Sequence, residues 1–232
     1  MKTQTKEMRV EEGRTKLTVL HNGEDLTFIH PYFGPGSYAE VGNLVEGPED
    51  KRTGLHKPTL AQTASLVNTA FNSDDRYSQE IKELMKKGWL WGFTGVLYVP
   101  KEGAYFEDNP KVKDGKPYLE RSDLIKKLEK KDPSVRFTPF GFKLGEMTPK
   151  ELRKNQFIIG LAGEEGADKL AEVAGKHRLN PVVYGFDSVQ NIETRVSALD
   201  SGRNADGLDV GGDDRGDDGD GVAFGYAPKN SP

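Results

Sequence analysis

The chain has 232 residues, 34% hydrophobic and 30% charged, with a net charge of -4; this length suits one domain with insertions better than two. No apolar run approaches the roughly 20 residues that a membrane helix needs, so no span is expected. Cysteine is absent, which excludes disulfides, thiolate metal sites and Cys nucleophiles together.

The first predicted element is a hairpin. Lys16 to Leu20 and Asp25 to Ile29 are β-prone runs on either side of an Asn22-Gly23 step, which favours a tight turn. From Pro31 to Pro58 the Gly and Pro density, with Tyr32, Phe33 and Tyr38 interleaved, predicts a long irregular loop over 31–58 held by aromatic anchors. Leu60, Ala64, Val67 and Phe71 then recur at helical spacing after Thr59. A second helix follows over 77–84, with Asp74 and Asp75 before it as the helix dipole favours. Trp89 to Pro100 is dense in aromatic and β-branched residues and reads as a buried central strand rather than a stacking platform.

Ser122 to Lys130 is expected to be a capped amphipathic helix, followed by a strand at Val135 to Phe137. Thr148 and Pro149 open a further helix as cap and first residue. An Ala-rich helix over 164–176 and a strand over 181–186 complete the series, which has no regular βαβ repeat. The predicted class is α+β with mainly antiparallel pairing. His21, His30, His56 and His177 have no helical pairing, so no zinc motif is supported and no cofactor is expected.

Composition changes abruptly after Leu199. Residues 200–220 hold eight Asp with Arg203 and Arg215, a local charge of -6 that leaves the remainder near +2. Nucleic acid is therefore not an expected partner. Composition alone would suggest an acidic disordered tail, but Leu199, Leu208, Val210 and Phe224 are spaced apolar residues that should be buried. A polar stretch pinned at apolar points reads as an ordered surface. A calcium loop lacks the Asp-x-Asp-x-Asp-Gly spacing and its terminal Glu.

The approach Arg195-Val196-Ser197-Ala198-Leu199, the Asp/Gly/Asn/Ser/Arg run and the ending Gly221-Val222-Ala223-Phe224-Gly225-Tyr226 resemble the variable proteins of archaeal diversity-generating retroelements. Between Val196 and Ala227 there is no Lys, Glu, Gln, Met or Trp, although Lys229 follows. Randomised adenines in Asn codons leave that restriction, because a pyrimidine third base encodes none of those five residues. The resemblance implies a C-type lectin-like fold related to formylglycine-generating enzymes, in a single domain over 1–232. Residues 1–194 would be constant scaffold and 195–226 the variable ligand-binding region.

It further implies a non-enzymatic protein that recognises an unidentified ligand, expected to be a protein of basic character. Expected ligand-facing residues are Asp200, Gly202, Arg203, Asn204, Asp206, Asp209, Asp213, Asp214, Arg215, Asp217, Asp218 and Asp220. Rival readings are a structural or virion-associated protein with an acidic tail, a calcium-binding acidic module, and an enzyme using a carboxylate pair among Asp213, Asp214, Asp217 and Asp218. The polar start, without a signal-like apolar core, suggests a cytoplasmic or virion-associated location.

Overall fold

The structure, a computed structural model, describes residues 10–11, 14–48, 53–202 and 206–228. The central strand is β5, Trp89–Val99, and its alternation organises the rest. Successive side chains of a strand point to opposite faces. Leu90, Val96 and Tyr98 accordingly enter one core, while Trp91 and Phe93 enter a second and Leu97 and Val99 a third.

The first face is covered by α2, Leu60–Phe71, and by the helical run α6, Gln156–Ala174. Thr59 and Gln62 form the capping box that starts α2, and Gly92 lets the helix lie directly on the strand. A Cβ at Gly92 would stand 2.6 Å from Leu60 Cδ1 and 2.8 Å from its Cα. Within α6, Gly163 has φ 69° and ψ 173°, which divides the run into two helices. The expected Ala-rich helix over 164–176 corresponds to the part after Gly163, and the residues before that glycine are helical too. The helix α3, Arg76–Lys87, is longer at both ends than the 77–84 reading because Asp75 caps it and Lys86 and Lys87 suit its C-terminal end.

The other face is where the expected loop over 31–58 proves to hold structure. It contains the strand β4, Phe33–Gly36, and the helix α1, Tyr38–Glu46. A capping box of Ser37 and Glu40 starts α1, and Tyr38, Val41 and Val45 form its buried stripe. That stripe packs on Trp91, Phe93, Val196 and Ala198. The Gly34-Pro35-Gly36 triplet hides this element from a composition-based reading, since it looks like a turn. Further along, α4, Arg121–Glu129, begins at Glu120 without a side-chain cap, contrary to the expected capped helix. The short helix α5, Pro149–Leu152, does carry the expected Thr148 cap, closed by Glu151.

Ahead of this body, β2, Arg14–His21, and β3, Glu24–His30, form the predicted hairpin. Asn22 and Gly23 take φ values of 49° and 75° at its tip, as a primed turn requires. A short β1, Val10–Glu11, extends it. The larger sheet among the described residues has nine strands, centred on the path β10, β11, β13, β12, β5, β14, β4. Here β10 is Gly145–Glu146, β11 Val182–Tyr184, β12 Glu193–Asp200, β13 Asp209–Asp214 and β14 Gly221–Ala223. The strands β6, Gly103–Asp108, and β9, Val135–Pro139, join through β5. Pairing is antiparallel except for β11 with β13 and β14 with β5. A separate ribbon pairs β7, Lys111–Lys113, with β8, Lys116–Tyr118. Finally β15, Tyr226–Ala227, returns to pair with β3. No helix among the described residues is long and apolar enough to cross a membrane.

Candidate functional site: the acidic C-terminal strands

The Asp-rich segment is built into the sheet. β13 lies between β12 and β11, with Leu199 opposite Val210, Asp200 opposite Asp209, and Val183 beside Val210. Leu199, Leu208 and Val210 are completely buried in the main core and Phe224 is 2% exposed. All four expected anchors therefore sit beneath the polar surface. Backbone bonds fix the approach to β13: Leu179 N donates to Asp206 O at 2.9 Å and Val182 N to Leu208 O at 2.9 Å. The Tyr98 hydroxyl, itself buried, donates to Gly212 O at 2.7 Å.

Glycines mark where backbone and core meet most closely. A Cβ at Gly212 would stand 2.7 Å from Phe157 Cζ, and the space beside Gly202 is taken by the Asp209 carboxylate. Gly216 has φ +76°, and its N–H donates to Asp214 Oδ1 at 2.7 Å while its C=O accepts from Tyr38 N at 3.0 Å. The turn from β13 to β14 is thus fastened to the start of α1. By contrast Gly219 has nothing within 4 Å, and a Cβ at Gly211 would meet only ordinary contacts from 3.7 Å.

The expected ligand-facing residues divide accordingly. Arg215, Asp217, Asp218 and Asp220 are exposed on the turn after β13. Asp200, Gly202, Asp206, Asp213 and Asp214 are half-buried. Asp209 departs from expectation: it is 8% exposed, because it packs beside Asp200 and Gly202 and accepts from the Tyr184 hydroxyl at 3.3 Å. Arg203 and Asn204 lie outside the described residues. Sequence reasoning missed Tyr184, which brings a 42% exposed aromatic side chain from β11 to the same acidic strands. Its nearest signal was the β-prone run Val182-Val183-Tyr184, which does not reveal that Tyr184 pairs with Gly211 and reaches Asp209 through its hydroxyl. Among the described residues, no three His, Cys, Asp or Glu side chains converge as a metal ion would require.

Burial raises the carboxyl of Asp200, with Asp209 adding repulsion, to about 7. Asp213 and Asp214 are also raised, chiefly by burial, with Arg195 opposing the shift in both. The folded form therefore holds a proton at Asp200 that an unfolded chain releases near pH 4. Stability contributed by this site is present below that lower value and falls as pH rises towards 7. The carboxyl keeps contact with solvent, so the effect is discounted to about 1 kcal/mol. Asp200→Asn should raise the urea midpoint at pH 8 and leave it nearly unchanged below about pH 4. An equal gain at both pH values would refute this assignment.

No family model and no curated protein matches this chain. Among solved structures, it is similar to one that concerns the accommodation of massive sequence variation in Nanoarchaeota by the C-type lectin fold. The superposition covers 90% of this chain and 97% of that one, with a TM-score of 0.54 at 13% identity. At that identity the likeness concerns architecture, and it agrees with the mixed helices and mainly antiparallel strands described above: the chain adopts a C-type lectin fold.

Proposed function

We propose that this chain is a non-enzymatic ligand-binding protein in which a constant scaffold over 1–194 presents a diversified recognition surface over 195–226, all within one domain. The observation that carries this reading is the burial of Leu199, Leu208, Val210 and Phe224 beneath the acidic strands. A solubilising tail has no need of such anchors, whereas a recognition surface needs its backbone held while outward side chains change. Asp200, Asp206, Asp213, Asp214, Arg215, Asp217, Asp218 and Asp220 are the residues proposed to meet the ligand. Their charge favours a basic protein surface. The restricted residue set between Val196 and Ala227 supports diversification by an archaeal retroelement that edits adenines. A relation to formylglycine-generating enzymes would be one of fold, since the cysteine chemistry of those enzymes has no counterpart in a cysteine-free chain.

The direct test is genomic: a near-copy of the coding sequence for 195–226, beside a reverse transcriptase gene and differing only at adenines. A locus without that copy would remove the diversification half of the proposal. Limited trypsin digestion tests the display half. The Arg215–Gly216 bond should survive conditions that cut the exposed ribbon at Lys111 and Lys113, because Gly216 is bonded on both sides. Rapid release of a fragment starting at Gly216 would show that the surface is not held.

A further inference from the structure

The described cations of the segment 195–226 are Arg195 and Arg215. Both line one cleft of about 290 Å³, together with Lys116 from β8, Glu193, Thr194 and Asp217. Two cations in an otherwise acidic stretch, far apart in sequence, thus converge on one place where the β7–β8 ribbon supplies a third.

Arg195 is held in position. Its Nη2 lies 2.7 Å from Glu193 Oε2, its Nη1 donates to Thr194 O at 2.8 Å, and its guanidinium lies 5.2 Å from the centre of the Phe186 ring. A cation fixed in this way loses little rotamer freedom when a ligand arrives. Lys116 and Arg215 have no ion-pair partner among the described residues. With Glu193 balancing Arg195, these two outnumber Asp217, so the residues lining the cleft keep a positive balance, with Asp213 and Asp214 also within electrostatic reach of Arg195.

We propose that this cleft is an anion-binding subsite, which accepts a carboxylate or phosphate group of a ligand between Lys116, Arg195 and Arg215. Its place within a recognition face rests on the function proposed above, whereas its affinity for an anion does not. On that reading, a basic partner would lay its cations along the exposed Asp218 and Asp220 and seat one anionic group in the cleft, which would define its orientation.

The test uses the full chain, isotopically labelled, followed by backbone amide NMR at low salt, where exposed charges are least screened. Succinate, inorganic phosphate and chloride are titrated separately at matched ionic strength. Saturable shifts at residues 116, 193–195 and 215–217 are expected with succinate, phosphate or both, and not with chloride; the first two arms identify the preferred group. Lys116→Gln combined with Arg215→Gln should weaken that binding roughly tenfold while the remaining spectrum stays that of a folded chain. Shifts that chloride reproduces, that never saturate, or that survive the double substitution would overturn the subsite. The trypsin and genomic results bear on the recognition surface alone, so the two proposals fail separately.

Discussion

Replacing Gly221 by alanine should destabilise the chain by about 3 kcal/mol or more, at the upper end for overpacking a closed core. The added Cβ would fall inside the envelope of Trp91 Nε1 and stand 2.6 Å from Trp89 Nε1. Neither indole yields easily. Trp91 is fully buried and donates to Gly36 O at 3.0 Å, and the two rings pack edge to face at 5.7 Å. Moving either would disturb β4 and α1 together. Thermal unfolding followed by circular dichroism checks this, with Gly219→Ala as the control. That position is open, so the control should melt with the parent, and equal melting of both variants would contradict the packing argument.

A second large effect is expected from Val210→Asp, which places a carboxylate in the main core where Val210 is completely buried. The cost of burying an unpaired charge, about 4 kcal/mol or more, takes much of the margin of about 5–15 kcal/mol that a domain possesses. The chain should be recovered mainly as aggregate or as an expanded species. The neighbouring Gly211→Asp introduces the same charge one residue further on, on the opposite side of the strand. Its Cβ meets nothing closer than 3.7 Å, so that variant should remain soluble and folded. Similar behaviour of the two would mean that strand alternation does not separate core from surface here.

Much of the scaffold was legible because its signals are local. The Asn22-Gly23 turn, the Thr59 and Thr148 caps, and the apolar spacing of Leu60, Ala64 and Val67 each depend on residues within a few positions of one another. The aromatic run from Trp89 to Val99 was legible as a buried strand for the same reason. The helix α1 was not, since its buried stripe of Tyr38, Val41 and Val45 follows a Gly-Pro-Gly triplet that argues for a turn.

At the candidate site, the anchors could be read and the distribution of acids could not. Asp209 has the same side chain as Asp213 and Asp217. Only its cross-strand position opposite Asp200, with Gly202 and Tyr184 around it, buries it. The convergence of Lys116, Arg195 and Arg215 is likewise a product of tertiary packing, which no spacing in the sequence announces.

The return of β14 and β15 to β4, β5 and β3 also has a consequence for how faulty copies would fare. These closing strands follow the Asp-rich stretch, and they supply hydrogen-bond partners to Gly36, Trp89 and Phe28, elements made much earlier in synthesis. A frameshift or premature stop between 200 and 220 would leave those older strands with bare edges, which invite aggregation and proteolysis. A product therefore completes its sheets only when translation has passed through residues 200–220 in frame.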